Sequence, residues 1–238
     1  MVEFTGLCQT ADREGFVVVF PNGSGRVAKS RSWNAGDIQL HAARQNIDDV
    51  RFVNCLLDDL IPHLLVDAGR VYAVGMSNGG LFSFRLAAEI SPRIAAVGSV
   101  ACAAVDFELK PSLPIPIIHF HGTDDLFVPF FGGAGGQGLH PTEFKSVPET
   151  ISFWAKHNGC EFPAAQDALP DAGDGTRIQL HLFTGGKNGT EVHLYTIVGG
   201  GHTWPGHQSN HAFLGPTTMQ IDANELMWRF FQRFRRTH

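Results

Sequence analysis

The chain has 238 residues, 43% of them apolar, and a formal net charge of −5. This charge balance argues against binding to nucleic acid. No apolar run reaches the roughly 18 residues that a membrane-spanning helix needs, so a membrane protein is also excluded. The basic residues near the end of the chain are interpreted as a solvated last helical turn: Arg229, Arg233, Arg235 and Arg236.

Four cysteines stand singly, without the C-x-x-C spacing of a zinc or redox site. Cys55 and Cys102 lie in apolar surroundings, and both are expected to be buried. The N-terminus has no charged-then-apolar leader, so we expect no signal peptide in this chain, and its compartment stays open. Without a linker or an internal repeat, residues 1–238 are expected to form one domain.

The first half of the chain alternates strand and helix patterns. Phe16 to Phe20 is a continuous β-branched and aromatic run closed by Pro-Asn-Gly, which predicts a buried parallel strand. Apolar residues at helical spacing predict a helix from Ile47 to Leu64. A strand is predicted at Arg70–Val74, followed by a helix over Leu81–Ile90.

The second half continues this pattern with buried strands predicted at 94–100 and 115–120. The glycine-rich stretch from Phe131 to His140 is interpreted as a mobile surface loop. A helix is predicted at 147–157 and a β-hairpin over 177–198 at one edge of the sheet. The last helix is entered through Asp222 and Glu225 and buries Met227, Phe230, Phe231 and Phe234. These elements predict an α/β fold with a mostly parallel sheet and helices on both faces.

The segment Gly75-Met76-Ser77-Asn78-Gly79-Gly80 lies between a predicted strand and a predicted helix. A turn this sharp strains its central residue, and the glycines two before and two after the serine are expected to prevent side-chain collisions. The turn presents the Ser77 hydroxyl as a nucleophile and directs the Asn78 amide toward a developing oxyanion. G-x-S-x-G alone is a weak signal in a glycine-rich chain, so its position between strand and helix carries the interpretation.

A serine nucleophile needs a base and an acid, which should follow later strands in that fold. Asp124 and Asp125 close the strand predicted at 115–120; Asp125 is our choice for the acid, with Asp124 as the competitor. His202 follows the last strand within Gly-Gly-Gly-His-Thr-Trp-Pro-Gly and is our choice for the base. Four other histidines are interpreted as supporting or strand residues: His119, His121, His181 and His193. Trp204 and Trp33 are candidate substrate contacts, with buried packing as the alternative for both.

At these residues the chain resembles the polyhydroxybutyrate depolymerase and feruloyl esterase family, the LpqC-like serine esterases of α/β-hydrolase fold. The matching segments are 11–21, 32–36, 75–80, 121–125 with 128–129, and 199–206. The resemblance implies hydrolysis of small-molecule or polymer-derived esters of short-chain, hydroxycinnamoyl, acetyl-sugar or hydroxyalkanoate type, without metal or cofactor. It also implies that Ser77, Asp125 and His202 take the catalytic roles. Family members are often secreted.

Two departures from the family pattern have consequences. Residues 1–13 have helical spacing where the family has a central strand and the loop that donates the second oxyanion amide. Losing one such donor typically costs about 100- to 1,000-fold in turnover. A longer chain, another segment or a second subunit of a homo-oligomer would have to fill the gap. Without it, the alternative is a non-catalytic or weakly active binding domain. Cys160 matches a family cysteine whose partner position is a glycine here, near Gly186, so that disulfide is not expected.

Overall fold

The computed structural model describes residues 1–27, 30–36, 40–105, 109–135, 142–161, 166–167, 169 and 173–237. Within them the α-helices are Val2–Thr5 (α1), Leu7–Glu14 (α2), His41–Arg44 (α3), Asp49–Leu64 (α4), Asn78–Glu89 (α5), Val147–Asn158 (α6) and Ala223–Phe231 (α7). The strands are Tyr72–Met76 (β1), Ala96–Val100 (β2), Ile117–Gly122 (β3), Gly133–Ala134 (β4), Glu143–Phe144 (β5), Gln166–Asp167 (β6), Arg177–Phe183 (β7) and Val192–Val198 (β8). In this part of the chain no helix has the length and apolar character to cross a membrane.

A six-stranded sheet has the order β1-β2-β3-β8-β7-β6. Its first four strands run parallel, and β7 and β6 continue it antiparallel. The predicted hairpin is therefore formed by β7 and β8. Because parallel strands end at the same side of a sheet, the loops after β1, β2, β3 and β8 share one rim. The sheet confirms the predicted α/β class with a mostly parallel sheet.

Apolar layers cover both faces of the sheet, because successive strand residues point to opposite sides. On one face, Ile117 packs in a buried cluster with residues of α4, α5 and α6, including Phe84 and Trp154. On the other face, Ile118 and Phe120 pack in a cluster with α7. Burial on both faces explains why these strands appear in the sequence as continuous apolar runs.

The helices follow the sequence signals closely. α4 begins where Asp48 accepts a hydrogen bond from the Arg51 amide, as expected for an N-cap. α6 opens with a reciprocal capping box between Ser146 and Glu149, and ends at Gly159 with a positive φ of 73°. α5 begins at Asn78, three residues before the expected start, so it follows Ser77 directly.

The buried parallel strand expected at Phe16–Phe20 is wrong. This segment is outside the sheet, and Val17 and Val19 are 55% and 45% exposed. In the family pattern, residues 1–13 would form a strand that pairs with both this segment and β1. Here those residues form α1 and α2, so β1 is the edge strand of the sheet. An extended segment with no adjacent ladder of N–H and C=O groups has nothing to pair with. Phe16 instead packs on Trp228, with ring centroids 4.6 Å apart.

The burial of the cysteines differs in part from the expectation. Cys102 is buried, but Cys55 is exposed on α4, so its predicted burial is wrong. Cys160 is a buried free thiol, and a Cβ added at Gly186 would lie 2.8 Å from its Sγ. Position 186 is therefore adjacent to Cys160 in space, and glycine there leaves the thiol without a sulfur partner.

Two further expectations are revised. Part of the glycine-rich loop is ordered into β4, which pairs with β5, while residues 136–140 lie outside the described residues. Arg229 lies in α7, whereas Arg233, Arg235 and Arg236 follow it and make specific contacts. Arg236 donates hydrogen bonds to the carbonyls of Ile94 (2.8 Å) and Pro114 (3.0 Å), and Arg233 donates to Glu191. These contacts attach the end of the chain to the rest of the domain, and the local sequence pattern cannot show them because the partners are distant in sequence.

Candidate active site

Ser77 occupies the turn between β1 and α5 with φ 55° and ψ −124°, a conformation that costs energy for a residue with a side chain. A Cβ at Gly75 would lie 2.1 Å from the carbonyl oxygen of Gly79, so only glycine lets the turn close. A Cβ at Gly79 would meet nothing within 4 Å, which contradicts the expected collision there. The second close approach is instead at Gly80, where a Cβ would lie 2.6 Å from Sγ of Cys102.

Asp125 and His202 form a buried pair at the same rim. Nδ1 of His202 donates to Oδ2 of Asp125 at 2.8 Å, while Oδ1 accepts from the amides of Phe127 (2.8 Å) and Val128 (2.9 Å). These bonds fix the carboxylate and leave Nε2 of His202 as the proton-accepting nitrogen. Asp124 is exposed and accepts from the Thr123 hydroxyl, so of the two aspartates Asp125 is the partner of the imidazole.

Backbone hydrogen bonds join neighbouring strand ends across the rim. Each is 2.9 Å long and runs from an amide to a carbonyl: Ser77 to Val100, Ala101 to Phe120, Thr123 to Ile197, and Asp124 to Gly200. The turn with Ser77 and the loops with Asp125 and His202 therefore lie on one side of the sheet. Among the described residues there is no hydrogen bond between the Ser77 hydroxyl and His202. The structure thus joins the acid to the base and leaves the nucleophile at the same rim.

The start of α5 supplies backbone N–H groups without intrahelical partners, as at every helix N-terminus. The Asn78 amide is the first of them and immediately follows Ser77. The Asn78 side chain accepts from the Trp33 amide (2.7 Å) and donates to the Trp33 carbonyl (3.1 Å). These two hydrogen bonds connect the Trp33 loop to the Ser77 turn. The Trp33 ring stacks on the Phe82 ring, with centroids 4.8 Å apart.

Trp204 is fully buried, and its indole N–H donates to Oδ1 of Asn224 at 3.0 Å. The structure therefore favours the core-packing alternative for Trp204 over substrate contact. The glycine run before it approaches neighbouring loops: a Cβ at Gly201 would lie 2.1 Å from the Leu214 carbonyl oxygen. The close approaches of this glycine run are to Gly175, Leu214 and Gly122.

The sequence pattern misses one feature of the site. The Phe127 ring lies 5.0 Å from the His202 ring, and Phe213, 62% exposed, lies 6.2 Å from Phe127. Spacing does not reveal this group, because loops distant in sequence bring the rings together. His119 and His121, interpreted from the sequence as supporting residues, form a buried hydrogen-bonded pair on β3 behind Asp125. The described residues contain no cluster of three or more His, Cys, Asp or Glu side chains arranged for a metal ion.

Comparison with known proteins places this geometry in a family. A protein named as an esterase, NocK, from Nocardia uniformis subsp. tsuyamanensis is 30% identical over 235 residues, which cover 94% of this chain and 67% of that protein. The chain belongs to this family of α/β-hydrolase esterases. The family model of the prolyl oligopeptidases, also α/β-hydrolases, matches residues 3–110.

A second relative of this chain is feruloyl esterase B of Piromyces equi. The two are 31% identical over 201 residues, which cover 82% of this chain and 35% of that protein. The chain thus spans about two thirds of the Nocardia relative and about a third of the Piromyces one. Among solved structures, an acetyl xylan esterase from Aspergillus awamori aligns with a TM-score of 0.57 at 16% identity, covering 84% of this chain and 77% of that one. That likeness supports the fold.

Proposed function

We propose that this chain hydrolyses carboxylic esters through an acyl-enzyme on Ser77, with His202 as general base and Asp125 as the acid that orients it. The observation that carries the proposal is the buried 2.8 Å hydrogen bond between His202 and Asp125, at the rim that also holds the strained Ser77 turn. Because Nδ1 of His202 donates its proton to the buried Asp125 carboxylate, Nε2 is free to accept the proton of the serine hydroxyl.

In this mechanism His202 takes the Ser77 proton as the hydroxyl attacks the ester carbonyl, and returns it to the leaving alcohol. Water, activated by the same imidazole, then hydrolyses the acyl-enzyme. The contact between Ser77 and His202 forms when substrate is bound, since catalytic hydrogen bonds are often incomplete in free enzymes. The Asn78 amide, the first N–H of α5, is the proposed oxyanion donor.

The aromatic residues beside the base support esters with an aromatic acyl group as substrates. Phe127 packs on His202, and Phe213 extends this apolar surface into solvent. Flat rings stack on such a pair with a gain of about 0.5–1.5 kcal/mol. Of the short-chain, hydroxycinnamoyl, acetyl-sugar and hydroxyalkanoate esters, this arrangement favours hydroxycinnamoyl esters. Trp33 is a second proposed contact, on the side of the Ser77 turn.

Turnover of p-nitrophenyl acetate tests the mechanism. We expect Ser77→Ala to lower kcat at least about 1,000-fold. The control Ser91→Ala, in the 3₁₀ turn after α5 and bonded to Ser112, should retain activity. An organophosphonate should label Ser77 alone. Equal turnover by Ser77→Ala and the parent protein would contradict the proposal and favour a binding domain.

The substrate class is tested separately with methyl ferulate. Phe213→Ala should lower kcat/KM for methyl ferulate about three- to tenfold more than for p-nitrophenyl acetate. Phe153→Ala, which removes a partly exposed ring from α6, serves as the matched control. An equal effect of Phe213→Ala on both esters would rule out the aromatic contact while leaving the catalytic residues in place.

A further inference from the structure

Three polar side chains lie in the core behind the acid–base pair: Ser99 on β2, and His119 and His121 on β3. Ser99 and His119 are fully buried and His121 is 1% exposed. Ser99 is registered opposite His119 across the parallel strands, and the two histidines share a face of β3 because they are two residues apart. We call these three residues the buried histidine chain.

Hydrogen bonds connect the buried histidine chain end to end. The Ser99 hydroxyl lies 2.7 Å from Nδ1 of His119, and Nε2 of His119 lies 3.2 Å from Nδ1 of His121. Nε2 of His121 lies 2.9 Å from the Val128 carbonyl oxygen and 3.5 Å from Oδ2 of Asp125. The buried histidine chain therefore starts inside the sheet and ends at the loop that bears Asp125.

The last acceptor fixes the direction of every proton. A carbonyl oxygen only accepts, so Nε2 of His121 must carry the proton that it donates to Val128. In a neutral ring Nδ1 of His121 is then an acceptor, and Nε2 of His119 must donate to it. By the same reasoning Nδ1 of His119 accepts from the Ser99 hydroxyl. Only one arrangement of protons satisfies all three bonds when both rings are neutral.

Burial keeps both rings neutral. Desolvation lowers the pKa of His119 well below its usual value and also lowers that of His121, against the opposing attraction of Asp125. Asp125 and His202 are the other titratable groups that act on the His121 ring, and backbone contacts of His121 with Val128 and Cys102 oppose the lowering. The Cys102 thiol contacts Ser99. A neutral His121 donates a hydrogen bond at the loop without neutralising the carboxylate that His202 needs.

Val128 links the buried histidine chain to the catalytic carboxylate. Its carbonyl accepts from His121, and its amide donates to Oδ1 of Asp125 at 2.9 Å. One residue is therefore held from both sides, and a shift of His121 displaces a donor to Asp125. Three buried polar groups in a row would be costly if they served packing alone, because each needs a partner that an apolar side chain does not.

We propose that Ser99, His119 and His121 are positioning residues that hold Asp125 in register with His202, through the hydrogen bond that His121 donates to the Val128 carbonyl. The inference rests on the proposed function, in which Asp125 and His202 form the acid–base pair. Ser99 and His119 act from inside the sheet, by holding the His121 ring in the orientation that reaches Val128.

Three variants and a control test the proposal. Ser99→Ala removes the first donor with a minimal change of volume. His121→Leu removes the last donor, and His121→Gln keeps a neutral N–H donor near Nε2. The control is His193→Gln, since this largely buried histidine of β8 bonds Glu191 at the opposite end of the sheet from the rim. Circular dichroism and urea unfolding establish the folded fraction of each variant, and phosphonate titration counts active sites.

Per titrated site, we expect Ser99→Ala and His121→Leu to lower kcat about tenfold with KM unchanged, which corresponds to about 1.4 kcal/mol. His121→Gln should recover most of kcat, and His193→Gln should match the parent. Lower stability with unchanged kcat per site would show a purely structural role and overturn the proposal.

A spectroscopic measurement separates this inference from the proposed function. The Nδ1 proton of His202, bonded to Asp125, should give a downfield proton resonance that Ser99→Ala and His121→Leu shift or broaden, and that His193→Gln leaves in place. Shifted resonances in a protein without esterase activity would contradict the proposed function alone. An unchanged resonance in Ser99→Ala and His121→Leu would overturn the positioning role alone.

Discussion

Residues 16–20 and β3 are alike in sequence and opposite in structure. Both are short runs of branched and aromatic residues after a turn or loop, and both fit a buried strand. β3 lies third in the sheet, with parallel partners on both sides and with Ile117, Ile118 and Phe120 at most 1% exposed. Residues 16–20 are outside the sheet, with Val17 and Val19 half-exposed. An apolar run becomes a buried strand only where a neighbouring strand offers its backbone groups.

The interactions around β3, which supports the candidate active site, also differ from those around residues 16–20. Behind β3 the side chains of the buried histidine chain are hydrogen-bonded to one another, and backbone bonds join neighbouring strand ends at the rim. At residues 16–20, Phe16 is held by a ring contact with Trp228 and by a backbone bond to Ala11. Substitutions in the two regions should therefore differ in size and kind.

The largest difference should come from placing a charge in each run. Ile118→Asp buries an unpaired carboxylate between β3 and α7 and should cost more than about 4 kcal/mol, enough to prevent folding. Val17→Asp places the same carboxylate at a half-exposed position and should change the free energy of unfolding by about 0.5 kcal/mol or less. Urea unfolding measures both. A comparable loss in Val17→Asp would mean that residues 16–20 are covered in solution.

Acid should weaken the β3 region selectively. The pKa of His119 and of His121 is lowered by burial, so below about pH 6.5 the unfolded chain binds protons that the folded chain does not. The free energy of unfolding should therefore fall as the pH drops from 7.5 to 5.5. His121→Gln should reduce this slope, and the exposed His63→Gln should not. A flat pH dependence in the parent protein would contradict neutral burial.

Glycine substitutions sharpen the comparison at a smaller scale. A Cβ at Gly122, the last residue of β3, would lie 2.1 Å from the Gly200 carbonyl oxygen, two residues before His202. Gly122→Ala should cost about 1–3 kcal/mol and lower kcat by up to about 100-fold, since the loop must shift. Gly15→Ala, at φ 74° with open space around it, should cost only about 1 kcal/mol and leave kcat unchanged. Equal kinetics in both variants would show that the Gly200 loop does not position His202.

The smallest effect should come from truncating an exposed side chain, and the same truncation in the core serves as its contrast. Val17→Ala should alter the free energy of unfolding by no more than about 0.5 kcal/mol, because the side chain is 55% exposed. Ile117→Ala, in the fully buried cluster under α5, should cost about 2–5 kcal/mol. Chemical denaturation of the pair at one pH gives the ratio directly, and similar losses would remove the distinction between the two runs.

Much of this protein is determined locally and was predictable. Helical spacing and caps located α4, α6 and α7 within a few residues, and continuous apolar runs located β1, β2 and β3. Alternation of polar and apolar residues located β7 and β8, because all these signals depend on neighbours close in the chain. Chain order of a serine turn, an acid loop and a histidine loop predicted which residues share the rim, since parallel strands all end on one side.

Only the tertiary structure decided what depends on residues far apart. It left residues 16–20 outside the sheet, because pairing requires a neighbouring strand. It bonded Asp125 rather than Asp124 to His202, placed Trp204 in the core, and assembled the buried histidine chain from β2 and β3. Propensity and spacing act over a few residues, whereas desolvation and hydrogen-bond satisfaction depend on the whole packed interior.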